Sequence, residues 1–127
     1  MYQYKVKEIV KIYDGDTVTV VIDLGFNTTR LEVLRLAYIN APEIRGDERA
    51  QGLISRDYVR EKMNNANEII VNTYKDHKGK YGRYIAEIFV DGVNLNKQLV
   101  SENLAEYKDY SWKNYKTECL LKISEKL

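Results

Sequence analysis

The stretch Val33-Leu34-Arg35-Leu36-Ala37-Tyr38-Ile39-Asn40-Ala41-Pro42-Glu43 decides how the rest of the chain is read. It sets one arginine into an otherwise apolar run, then closes on an amide, a proline and a glutamate. A Leu-Arg-Leu pattern in a core strand is costly unless the guanidinium has something to bind, because an unpaired buried charge is strongly disfavoured. Pro42 cannot donate to a sheet ladder, so the strand should end near Ile39 or Asn40. Glu43 then falls just past the strand end, where a sheet can aim it. A fixed cation and a carboxylate on one short element form a candidate site for phosphate chemistry.

On the N-terminal side, residues 4–12 alternate. Tyr4, Val6, Val10 and Ile12 are expected on one face, with Lys5, Lys7 and Lys11 on the other, as in a half-buried strand. Tyr13-Asp14-Gly15-Asp16 reads as a tight turn, with Gly15 supplying backbone freedom. Thr17 to Ile22 is β-branched almost throughout and predicts a second strand. Leu24-Gly25-Phe26-Asn27 turns the chain into a third, from Arg30 to Ile39. Short connections make the three an antiparallel meander.

On the C-terminal side, residues 44–49 read as a loop. A helix is expected from Ala50 to Asn64, with Ala50, Leu53, Ile54 and Tyr58 on its apolar side and Val59 and Met63 widening the stripe. Gly52 weakens its first turn. Ile69 to Tyr74 and Arg83 to Val90 predict two more strands around a charged loop. Asn94 is a candidate N-cap for a helix carrying Leu95, Leu99 and Val100 to about Asn103. Trp112, Tyr115, Cys119, Ile123 and Leu127 recur at spacings of 3, 4, 4 and 4, which predicts a third helix. Three strands, a helix and two strands suit a small closed barrel of the OB type, capped by two further helices.

The whole-chain numbers set limits. At 127 residues the chain suits one domain, and 44% hydrophobic residues is enough for a core. A net charge of +1 gives no global basic field, so a nucleic-acid partner would need a local cluster. Cys119 is the only cysteine, so no internal disulfide can form, and it falls on the apolar stripe of the last helix. The single His77 excludes a site built from several histidines and reads as solvated. No apolar run reaches membrane-spanning length, and Met1-Tyr2-Gln3-Tyr4-Lys5 has no signal-like apolar core. These features lead us to expect a cytoplasmic monomer without a membrane partner. A phage or mobile-element origin would suit so compact a form.

Several segments could carry chemistry. Asp14-Gly15-Asp16-Thr17 is either a plain hairpin turn or an oxygen-ligand set for a hard divalent cation. Arg35 with Glu43 is either a structural ion pair or a phosphate-handling pair. Lys80-Tyr81-Gly82-Arg83 is either a solvated hairpin tip or a basic, aromatic substrate contact.

Taken in order, Asp-Gly-Asp-Thr, Leu-Arg-Leu, Asn-Ala-Pro-Glu and Lys-Tyr-Gly-Arg resemble the staphylococcal nuclease (thermonuclease) family. The resemblance extends through Val93-Asn94-Leu95-Asn96-Lys97-Gln98-Leu99-Val100, which looks like that family's second helix, and covers about residues 6–105. It implies an α+β fold: an OB-fold, five-stranded Greek-key β-barrel with three α-helices. It also implies a calcium-dependent phosphodiesterase acting on DNA or RNA, in which water attacks phosphorus in line and 3′-phosphate ends remain. By motif, Arg35, Glu43 and Arg83 would be catalytic, with the arginines gripping phosphate and Glu43 serving as general base. Asp16, Asn40 and the backbone carbonyl of Ala41 would hold the metal. Lys80, Tyr81, Tyr107 and Tyr110 would contact the substrate.

One position departs from the pattern. The family commonly has aspartate where this chain has Asn40. An amide oxygen still donates to a cation but brings no charge, so weaker calcium binding is expected, with magnesium or manganese as alternatives. Asp14 is a candidate to help from behind the metal ligands. Asn40 also keeps open a second reading, a non-catalytic OB-type module that binds nucleic acid or a modified peptide.

Overall fold

The computed structural model describes residues 2–78 and 84–108. Five long strands form the barrel wall: β1 (Tyr2–Asp14), β2 (Thr17–Asp23), β3 (Thr29–Leu36), β5 (Ile69–Lys78) and β6 (Tyr84–Val90). Two-residue strand β7 (Val93–Asn94) pairs beside β6, and β4 (Ile39–Asn40) pairs with β8 (Glu106–Tyr107) in a separate two-stranded ladder. Helix α1 (Arg49–Asn64) links the two sets of strands, and α2 (Leu95–Ser101) follows β7. The third helix expected over Trp112 to Leu127 lies outside the described residues, as do Cys119 and the Lys80–Arg83 tip.

The sheet runs β3-β2-β1-β5-β6-β7, and a parallel pairing of β3 with β6 closes it. The closure sets Leu34, Arg35 and Leu36 beside Tyr84, Ile85 and Ala86. This is the OB-type barrel expected from the strand pattern, since closure removes the open edges that strands otherwise leave. Val18, Val20, Leu34, Leu36, Val71 and Ile88 fill its interior, and Val59, Met63, Leu95 and Leu99 from the helices cap it.

Several expectations are corrected. Val10 is half exposed rather than inward. Register shifts after Val6, Ile9 and Ile12 break the simple alternation in β1 and turn Ile9 toward the core instead. Such bulges re-aim side chains in a way that period-2 counting cannot anticipate. The third strand does not run unbroken to Ile39; it stops at Leu36 and resumes as β4 after a turn at Ala37 and Tyr38. Tyr38 adopts a left-handed φ of 67° there, and its ring meets that of Tyr74 edge-on at 5.6 Å. Helix α1 buries Gly52, Ser55, Val59 and Met63, whereas Ile54 is exposed. Asn94 does cap α2, its side chain accepting from the Lys97 N–H.

Asn96 ties the layers together. It is buried, and its amide donates to the carbonyls of Ala37 (2.9 Å) and Ala86 (3.1 Å) while accepting from the Ile88 N–H (3.1 Å). One side chain thus satisfies backbone groups on the β3–β4 turn and on β6, groups that would be costly to bury alone.

Candidate nucleic-acid cleavage site

Arg35 stands at the barrel closure, opposite Thr17 on β2 and Ile85 on β6. Despite its charge it is buried. Its Nη2 lies 3.4 Å from Asp16 Oδ2, and its Nη1 donates to the Leu36 carbonyl at 2.9 Å. The sequence expectation that this guanidinium must bind something is met by Asp16, not by Glu43.

Asp16 is the hub. The same Oδ2 accepts the Ala41 N–H at 2.8 Å, Oδ1 accepts from the Thr17 hydroxyl at 3.2 Å, and the Asp16 carbonyl accepts the Leu36 N–H at 2.8 Å. One residue of the β1–β2 turn therefore fixes both the strand that carries Arg35 and the loop that leads to Glu43. Ala41 reaches Asp16 through its N–H, a contact that spacing alone did not suggest.

Gly15 is required for close approach rather than for turn freedom. Its φ is not left-handed, but a Cβ there would lie 2.8 Å from the Ala41 Cβ and 3.0 Å from the Ser55 Cβ. The hairpin tip is thereby clamped between the site loop and α1.

Asp14 completes the cluster. Its Oδ1 accepts the Asp16 N–H at 3.1 Å. Burial, followed by the neighbouring Asp16 carboxylate, pushes the Asp14 carboxyl up to about 7, with Glu43 adding a smaller push in the same direction. Glu43 is thus close enough for its charge to be felt, although its own side chain is exposed.

Asn40 lies on β4, opposite Glu106, immediately before the Ala41 amide that binds Asp16. Tyr107 pairs with Ile39 on the same short ladder, and its hydroxyl is buried. Arg83, Lys80, Tyr81 and Tyr110 lie outside the described residues.

Among the described residues no three His, Cys, Asp or Glu side chains gather as a metal-binding group. The donors gathered here are the carboxylates of Asp14 and Asp16 and nearby backbone oxygens, with Asn40 next along the chain to Ala41. All are oxygen atoms, which suits a hard cation such as calcium or magnesium. Burial and the Asp16 carboxylate hold the Asp14 carboxyl up, and Arg35 is the one cation paired to the cluster among the described residues. The oxygen donors are of the kind a divalent cation takes, so the donor set fits one.

The family of staphylococcal nuclease homologues matches residues 33–126. The chain belongs to this family. The match begins at Val33, the first residue of the segment that carries Arg35 and Glu43, and it takes in α1, α2 and the closing strand β6. Membership brings nuclease chemistry and a nucleic-acid substrate at the family level. No helix among the described residues is long and apolar enough to cross a membrane.

Asp14, Gly15, Gly52 and Asn96 shape this region and were not picked out by pattern as its main residues. Gly15 was legible only as a turn residue, whereas Asp14 was read either as a turn residue or as a group behind the metal ligands. Gly52 in a helix and Asn96 on a helix carry a faint signal, being a poor helix former and a polar residue between apolar ones.

Proposed function

We propose that this protein is a metal-dependent, sequence-tolerant nuclease that hydrolyses phosphodiester bonds of DNA or RNA and leaves 3′-phosphate ends. The observation that carries this is the Asp16 carboxylate, whose Oδ2 joins Arg35 of β3 and the Ala41 N–H of the loop that ends at Glu43. A buried arginine, paired carboxylates and a nearby exposed glutamate are the groups such chemistry needs.

In this reading Asp16, Asn40 and the Ala41 carbonyl hold calcium, with magnesium or manganese as alternatives. When bound, the ion shares the charge on the phosphoryl oxygens. Arg35 and Arg83 clamp the phosphate through planar, bidentate forks that lysine could not replace. Glu43 draws a proton from water as it attacks phosphorus in line, and the 5′ oxygen leaves. Lys80, Tyr81, Tyr107 and Tyr110 contact the nucleotide.

The uncharged Asn40 favours a second reading, a barrel that binds nucleic acid or a modified peptide without cutting. One experiment separates the two. Purified protein is incubated with single-stranded DNA and RNA in calcium, magnesium, manganese or chelator, with Arg83→Ala alongside. Cleavage that needs a metal and is slowed by Arg83→Ala supports the nuclease. A gel shift in every condition without cleavage supports the binding module.

A further inference from the structure

Glu43 is held by a cradle built from the start of α1. Its N–H donates to Glu48 Oε1 at 3.2 Å. The next carbonyl, of Ile44, accepts from Arg49 Nη1 at 3.1 Å. The chain reverses between them at Gly46, whose φ of 69° is the left-handed value glycine tolerates best. Gly52, one turn further along the helix, then meets the loop directly. A Cβ on Gly52 would fall 2.0 Å from the Glu43 carbonyl oxygen, 2.5 Å from its carbonyl carbon and 2.9 Å from the Ile44 nitrogen. These are backbone atoms, so no side-chain rotation can make room.

From these contacts we infer that Gly52 and Glu48 are positioning residues that set where the Glu43 carboxylate stands relative to the Asp14–Asp16–Arg35 cluster. The inference rests on the proposed role of Glu43 as general base. Glycine is a poor helix former, so Gly52 costs α1 local stability relative to alanine. That cost has a local return: the Glu43 backbone lies flush on the helix. Glu48, at the N-terminal boundary of α1, makes no side-chain cap to its own helix and accepts from Glu43 instead. Arg49 keeps its charge on a neutral carbonyl and fixes the peptide after Glu43. Loop and helix are thereby joined at three successive points, and the exposed Glu43 side chain projects from a fixed backbone. Displacing a reacting group by about 1 Å can cost on the order of 10²-fold in rate.

The test is a double-mutant comparison of cleavage kinetics in calcium. Gly52→Ala in the parent is expected to lower kcat by about 10²-fold with KM within about twofold. In a Glu43→Ser background the same change should alter the residual rate by less than about twofold, because the group being positioned is gone. Equal losses in both backgrounds, or a loss confined to KM, would overturn the assignment. Glu48→Ala and Glu48→Gln provide a second route that does not depend on Gly52→Ala folding. Glu48→Ala should lower kcat several-fold and speed hydrogen exchange at the Glu43 amide, and Glu48→Gln, which keeps an acceptor oxygen, should restore most of both. Parental kcat and exchange in Glu48→Ala would overturn it. Glu43→Ser cutting at the parental rate is a separate result: it would remove the base assignment itself, and the cradle's catalytic purpose with it.

Discussion

The Arg35 guanidinium of β3 lies 3.4 Å from the Asp16 carboxylate of the β1–β2 turn, with both side chains buried. Neither group could be left there alone. Removing one partner of a buried pair strands the other charge, typically at about 3–5 kcal/mol. Arg35→Met should therefore lower the unfolding free energy by about that amount, and more so because Asp14 and Asp16 would then share a buried site without their arginine. Urea denaturation checks this. A loss below about 1 kcal/mol would mean the pair is solvated and not part of a dry cluster.

The Asp14 carboxyl gives a pH dependence with a definite sign. Folding raises it from 3.8 to about 7. The folded state therefore holds more protons than the unfolded state between those values, and stability falls as pH rises through that window. Below pH 3.8 both states hold the proton and the penalty vanishes. In chelator, Asp14→Asn should raise Tm relative to the parent by several degrees at pH 8, and the difference should shrink steadily toward pH 4. A difference that is flat across pH would remove Asp14 from the buried cluster.

Much of this was readable from residues alone, for identifiable reasons. Arg35 between leucines announced a buried partner because the cost of a lone charge is large, and a partner is present. Five strands and the Asn94 cap followed from alternation and capping chemistry. What escaped was set by contacts distant in the chain. Val10 was misjudged because bulges in β1 shift the inward set by one residue. Gly15 looked like a turn glycine, yet its need is steric, imposed by Ala41 and Ser55 from two other elements. Asp16 was expected as a metal ligand, but its tie to the Ala41 N–H, 25 residues away, has no local signature. Gly52 looked like a weakness in a helix until Glu43 was found resting on it.

In the proposed reading Asn40 is a metal ligand. Calcium affinity rises with the number of charged ligands. Asn40→Asp should tighten calcium binding by on the order of tenfold or more, read by titration calorimetry. Because β4 keeps its pairing with β8 through backbone atoms, the fold should not change. Equal or weaker affinity would take position 40 out of the metal shell.

In the proposed reading Arg35, the aspartate pair and Glu43 serve one scissile phosphorus. The most direct measurement is the initial rate of single-stranded DNA cleavage in calcium by the parent and by Glu43→Ser, each repeated in chelator. The parent should cut only with metal, and Glu43→Ser should be slower by about 10²-fold or more while still binding DNA. Cleavage by Glu43→Ser at the parental rate, or cleavage by the parent in chelator, would contradict the account.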